Sequence, residues 1–220
     1  RTLQTVERAR IYFRIGIPFE EQIVGRVGRS LDVVKTYAGI DRRRDPAAAP
    51  EGHGHDDHAG HSDHAGHDHG GADPHVWLDP KLVRDHIAPA MARALAGADP
   101  AHEAAYEENL RAFQADLTAV DEELSALLAP HAGETIYVAH PAFGYFAASY
   151  GLRQAALEFE GKAPSPRRLA ELAAQARAAG VKTIFYQEQF SKRPAERLAE
   201  EIGADAVGLD PLARDYLANL

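Results

Sequence analysis

Apolar positions follow two periods along this chain, and the longest regular stretch has the helical one. Tyr106, Leu110, Phe113, Leu117, Val120, Leu124 and Leu127 recur at spacings of four and three. They form one apolar stripe with charged residues opposite, the pattern of an amphipathic helix. Asp99-Pro100 supplies a start signal. The spacing therefore predicts a helix over Pro100–Leu128, about 43 Å long at the α-helical rise. That is long for a globular helix and enough to run along two lobes. A coiled coil is the competing reading, but the stretch holds only about four heptads and strand patterns flank it.

Beyond Pro130 and Gly133 the pattern shortens and alternates. Thr135–Ala139, Ala155–Phe159, Val181–Tyr186 and Ala206–Leu209 read as strands. Between them Pro141–Tyr150, Pro166–Ala179 and Pro194–Ile202 read as helices, closed by Gly151, Gly180 and Gly203. The order βαβαβαβ predicts an α/β fold with a parallel sheet and helices on both faces. Upstream, Ile11–Ile15 and Asp32–Tyr37 read as strands around a helix at Phe19–Arg29, and a helix over Pro80–Ala96 starts after Asp79. This first part reads as a similar unit lacking its first strand and helix. The expected organisation is an N-terminal lobe over 1–98, incomplete at its start, a long helix over 99–130 and a second lobe over 131–220.

The segment 41–73 interrupts this order. It carries seven of the chain's 12 histidines, His53, His55, His58, His61, His64, His67 and His69, spaced by two or three among Gly, Ala, Ser and Asp. Such a stretch cannot bury apolar surface, so a disordered surface loop is expected. Its composition also reads as transition-metal binding, because neutral imidazole is the commonest protein ligand for such metals. The charge agrees. No Lys or Arg lies between Arg44 and Lys81, whereas that span holds eight of the 33 acids. The remaining 25 acids nearly balance the 24 bases, so the net charge of −9 is concentrated around the imidazoles.

Composition excludes several chemistries. There is no cysteine, hence no disulfide, thiolate zinc site or thiol catalysis. No apolar run approaches the ~18 residues of a membrane span, and no basic patch points to nucleic acid. The chain opens on Arg1 with no signal peptide in view, as expected of a processed chain or a fragment.

In open α/β sheets ligands bind beyond the carboxyl ends of the strands. His140 directly follows one expected strand and Asp210 another, while His75 lies in the segment entering the helix at Pro80. Two imidazoles and a carboxylate suit tetrahedral zinc. Each residue alone also has an ordinary reading, a hydrogen-bonded surface histidine or an Asp-Pro turn; the joint pattern favours a metal. His86, His102 and His131 lie on helix surfaces or loops and are expected to be structural.

Four stretches carry a family resemblance: DPHVWLDP (Asp73–Pro80), VAHPAFGYFAASYG (Val138–Gly151), EGKAPSPRRL (Glu160–Leu169) and LDPLA (Leu209–Ala213). Together they resemble the metal-binding solute-binding proteins of bacterial ABC transporters for zinc and manganese, the zinc-uptake group in particular. The likeness spans essentially the whole chain. It implies two lobes, each with a mainly parallel sheet flanked by helices, joined by one rigid helix. It implies His75, His140 and Asp210 as metal ligands; the His loop, similar to that of the zinc members, is expected to bind more weakly because each ion it takes must order the chain. Manganese-specific relatives tend to carry a carboxylate at the His140 position, so His140 favours zinc. The family's first ligand, an upstream histidine, has no match here, and the resemblance implies that the chain also stops before the family's last helix. Gln187 stands where many relatives have Glu, at a position that is not a ligand.

The resemblance implies a monomeric, non-enzymatic protein of the periplasm, or lipid-anchored outside the cell. It would capture Zn²⁺ and deliver it to an ABC permease, with no nucleic-acid partner. Two alternatives are a zinc-dependent hydrolase and a cytosolic His-rich metal chaperone. Against the first, the sequence has no HExxH; against a GTPase chaperone, Gly161-Lys162-Ala163 does not complete a phosphate loop.

Overall fold

A computed structural model describes residues 9–27, 31–42, 72–158 and 164–220. The expected His loop, His53–His69, lies outside the described residues. In the N-terminal part β1 (Ile11–Arg14) and β2 (Asp32–Lys35) pair in parallel through α1 (Pro18–Val27), with Ile11 opposite Asp32 and Arg14 opposite Lys35. The turn leaving β1 is held by one buried carboxylate. Glu20 accepts the backbone N–H groups of Ile15, Gly16 and Ile17 at 3.1, 2.6 and 3.0 Å, so these donors are satisfied away from water. Gly16 has φ +87°, and a Cβ there would sit 2.9 Å from the Tyr37 ring, so both conformation and space require glycine.

A helical run over 80–98 follows. It comprises α2 (Pro80–Leu82), a π turn (Val83–Ile87) and α3 (Ala88–Ala98). Asp79 caps its start by accepting the Lys81 N–H at 2.9 Å. The expected uninterrupted helix fails at Pro89, which has no N–H and crowds the carbonyl four residues back. The widened turn just before it relieves that conflict, with the Ala88 N–H reaching the Val83 carbonyl.

The long helix is α4 (Glu103–Leu128), preceded by a 3₁₀ turn at Pro100–His102 rather than starting as α-helix at Pro100. Leu117 and Leu124 are buried along it, but Leu127 is 64% exposed. After Leu124 the inward position is four residues on, at the half-buried Leu128, so Leu127 leaves the expected stripe.

The C-terminal sheet has the order β4-β3-β5-β6, all parallel, from β3 (Thr135–Val138), β4 (Arg153–Ala156), β5 (Thr183–Gln187) and β6 (Asp205–Leu209). The connecting helices are α5 (Gly144–Ser149), α6 (Pro166–Ala178) and α7 (Arg193–Ile202), and a short α8 (Tyr216–Asn219) follows. Leu157, Leu172, Ala176, Ile184, Leu198 and Ala199 form its core. The parallel α/β expectation holds, with three boundary corrections, the first being that β5 begins at Thr183 rather than the expected Val181. β4 begins two residues before the expected Ala155, because its ladder pairs Thr135 with Arg153. α5 begins at Gly144, not Pro141: residues 140–143 turn instead, and the Phe143 N–H is taken by Gln154 Oε1 at 2.7 Å.

β4 lies on one side of β3 and β5 on the other. The crevice where the chain changes direction is thus at the carboxyl ends of β3 and β5. A second apolar cluster joins Val76, Val83, Ile87, Leu117 and Tyr145, tying the helical run, α4 and α5 together. Beside it Asp121 of α4 accepts from Tyr150 Oη at 3.0 Å and faces Lys81 Nζ at 3.4 Å and Arg84 Nη1 at 3.3 Å. Burial, and then the bond to Asp121, push the Tyr150 hydroxyl pKa well above the usual phenol range, so Tyr150 remains a donor.

Asp121→Ala should lower the unfolding free energy by about 2 kcal/mol, since it leaves the hydroxyl of the buried Tyr150 without its acceptor and removes the carboxylate facing Lys81 and Arg84. Glu107→Ala, which removes an exposed pair with Arg111, should change it by about 0.5 kcal/mol or less. Urea titration of both variants checks the contrast.

Candidate metal centre

The sequence Asp73-Pro74-His75 builds the first half of the site. Asp73, 2% exposed, turns its carboxylate forward onto its own chain. Oδ1 accepts the His75 backbone N–H at 2.9 Å and the His75 ring Nδ1 at 2.7 Å. This is the local turn that aspartate favours two residues ahead. Val76 and Leu78 anchor the following 3₁₀ turn in the core. Between them Trp77 lays its ring 5.2 Å from that of His75. The Asp73 side chain also explains Gly144, where a Cβ would lie 3.0 Å from Oδ2.

The second half comes from the C-terminal sheet. His140 leaves the end of β3 in the non-helical link to α5. Past β4 the chain stays beside β3, since the Leu157 and Glu158 N–H groups bond to Val138 O and Ala139 O, each at 2.9 Å. That holds Glu158 next to His140, and Glu158 Oε2 lies 3.0 Å from His140 Nδ1. Each histidine thus has a carboxylate on Nδ1. A carboxylate acceptor places the proton of a neutral ring on Nδ1 and leaves the Nε2 lone pair for a metal.

The two rings meet edge to face with centroids 5.3 Å apart. For two imidazoles sharing a tetrahedral zinc through Nε2, with Zn–N of about 2.0–2.1 Å, the ring centres stand about 5 Å apart. The pair therefore has the separation such an ion requires. Asp73 and Glu158 behind the rings add negative potential that favours a cation.

Asp210 follows β6 and is half-buried. Its Oδ1 accepts from Gln189 Nε2 and, at 3.0 Å, from the Leu212 N–H. The next residue lies against the first half of the site: Pro211 O accepts the Trp77 indole N–H at 2.8 Å. The structure thus brings His75 and His140 together and holds Asp210 on neighbouring chain. Among the described residues no group of three or more His, Asp or Glu side chains stands assembled for a metal. The loop histidines His53, His55, His58, His61, His64, His67 and His69 lie outside the described residues. His102 and His131 bond to Asp99 and Glu134 on the surface at 2.8 and 3.3 Å. His86 is half-buried in the π turn.

Sequence reasoning did not single out Asp73 and Glu158. Asp73 was open to it, since an Asp two residues before a candidate ligand is placed to turn onto it. Glu158 depends on the β3–β4 register.

The chain is similar to known zinc-binding proteins in sequence and in fold. Zinc-binding protein AdcA of Streptococcus pyogenes serotype M3 is 32% identical over 117 residues, which are 49% of this chain and 23% of that protein. High-affinity zinc uptake system protein ZnuA of Brucella abortus is 29% identical over 131 residues, 59% of this chain and 39% of that protein. The chain thus matches well under two thirds of the length of either relative. A crystal structure of ZnuA superposes with TM-score 0.84 at 32% identity over 99% of this chain and 78% of that one. A ZnuA deletion mutant with zinc bound gives 0.83 at 32%, covering 99% and 76%. No helix among the described residues is long and apolar enough to cross a membrane. The family described as ZnuA, zinc-uptake complex component A, periplasmic, matches residues 1–220, and the chain belongs to it.

Proposed function

We propose that this chain captures Zn²⁺ outside the cytoplasmic membrane and passes it to the permease of an ABC transporter. The observation that carries this reading is the His75–His140 pair, with ring centroids 5.3 Å apart and a carboxylate on each Nδ1. Zinc is the cargo. His75 and His140 supply nitrogens, and Asp210 supplies a carboxylate oxygen from the chain that packs on Trp77. The lobes over 1–98 and 131–220, linked by the helix at 99–130, hold the ion between them. The His loop, His53–His69, serves as a weaker secondary site.

Binding rather than catalysis follows from how the carboxylates are used. Asp73 and Glu158 are both committed to imidazole Nδ1 atoms, so neither is placed as a general base for a metal-bound water. The zinc-bound ZnuA neighbour supports zinc as the ion, and two imidazoles suit zinc better than the oxygen-rich sets preferred by manganese. The family's periplasmic zinc-uptake role supports the location and the permease partner. The chain acts as a monomer, and no nucleic acid takes part.

Calorimetric zinc titration tests the assignment. His140→Ala should weaken the tight site by at least about 100-fold, as expected for loss of a direct ligand when loss of an outer-shell partner already costs 10–100-fold. Weaker loop binding should persist. Deleting residues 48–70 should do the reverse, lowering stoichiometry while leaving the tight site nearly unchanged. If the deletion abolished tight binding and His140→Ala did nothing, the loop would be the primary site.

Protons should compete with the ion, because ligating imidazoles must be neutral. Zinc affinity is expected to fall steadily as pH drops from about 7.5 to about 5.5, as protons displace the ion from the ring nitrogens. A flat profile would contradict ligation by histidine.

A further inference from the structure

β5 lies between β3 and β6, so the turn that leaves β5 stands between the chain ends bearing His140 and Asp210. The turn is closed by the Phe190 N–H on Gln187 O at 3.1 Å. Three of its side chains reach the two candidate ligands. Gln187, 1% exposed, donates from Nε2 to the His140 carbonyl at 3.2 Å. Gln189 donates from Nε2 to Asp210 Oδ1. Phe190 stacks on the His140 ring, with centroids 5.0 Å apart and planes inclined by 25°.

We infer that the turn 187–190 is a positioning element of the metal site, with Phe190 and Gln189 setting the orientation of His140 and Asp210. This rests on the metal-site reading above.

The roles are complementary. Glu158 fixes the His140 tautomer and one in-plane direction, but a single hydrogen bond leaves the ring free to tilt about it. A parallel aromatic face removes that freedom. At Asp210 the donors from Gln189 and Leu212 both fall on Oδ1. Oδ2 is then the oxygen available to an ion, so the carboxylate is preset as a one-oxygen ligand. Both Gln187 and Gln189 are neutral, so they orient without adding charge that would repel or overbind a dication. Gln187 ties the whole turn to the main chain of His140, so the two ligands are spaced by one short piece of backbone.

The test is zinc affinity of the full chain, by competition with a chromophoric chelator, for Phe190→Leu, Phe190→Tyr, Gln189→Ala and His140→Ala. Thermal unfolding of each metal-free variant and the visible spectrum of each Co²⁺-loaded variant accompany it. Phe190→Leu keeps apolar bulk but loses the stack, and should weaken zinc by about 10-fold, the scale of outer-shell contributions to metal sites. Phe190→Tyr keeps the stack and should restore wild-type affinity. Gln189→Ala, at an exposed position, should also weaken zinc by about 10-fold with Tm unchanged. Both Phe190→Leu and Gln189→Ala should alter the Co²⁺ d–d bands, which a purely structural role would leave alone. Wild-type affinity and spectra in these two variants, or losses that only track a fallen Tm, would overturn the inference. If those variants bind normally while His140→Ala loses zinc, the turn assignment alone falls. If His140→Ala itself binds zinc normally, the metal-site reading falls and this inference with it.

Discussion

The arrangement turns on the carboxylate of Asp73. At 2% exposure an ionised group is costly unless hydrogen bonds replace the lost water. Its own chain supplies them, through the N–H and ring of His75. The main chain of the same residue is gripped from two other directions. Tyr145 Oη donates to Asp73 O at 3.1 Å, and Arg42 Nη2 reaches Ala72 O and Asp73 O at 2.9 and 3.4 Å. Arg42 also lies over the Tyr37 ring at 4.9 Å. One residue thus joins the end of the β1–β2 unit, the start of α5 and a candidate ligand. Gly144 is small where that carboxylate passes.

The second ligand is held by different means for the same end. His140 and Glu158 approach through parallel pairing, which continues past the regular strand as single N–H bonds to Val138 and Ala139. The two rings therefore meet from separately built halves. Their separation is stable only if those halves do not shift. The clamp at Asp121, with the apolar cluster around Leu117 and Tyr145, supplies that stiffness. Ordering entropy for two imidazoles is thereby met during folding rather than on ion capture.

The regular architecture was legible because it rests on local signals. Asp-Pro starts, glycine stops and the alternation of strand and helix placed nearly every element, while strand-end placement of His140 and Asp210 and the helix entry at His75 supply the candidate ligands. The departures share a physical origin in tertiary pairing. β4 starts at Arg153 because of its ladder partner, not because residues 153–156 look more strand-like than 155–159. Glu158 follows from that register, so no local pattern marks it. The bonds of Gln189 and Phe190 join residues 21 and 50 positions from Asp210 and His140, adjacent only through the strand order. The bond from the Trp77 indole N–H to Pro211 O, which brings the chain bearing Asp210 against the first half of the site, is likewise invisible in a sequence motif.

The π turn at Val83–Ile87 bears on how the helix behind His75 tolerates change in length. One extra residue in a helical turn advances the phase of everything after it by about 100°. Val83, Ile87 and Met91, spaced by four, stay on one face through the widened turn and all pack on the same cluster. The bulge is thus the backbone's accommodation of Pro89, and the packing of the helical run is built around its register. Excising one residue would leave Pro89 still in conflict with the preceding turn, and it would rotate α3 by about 100° against α4, loosening the support behind the first imidazole.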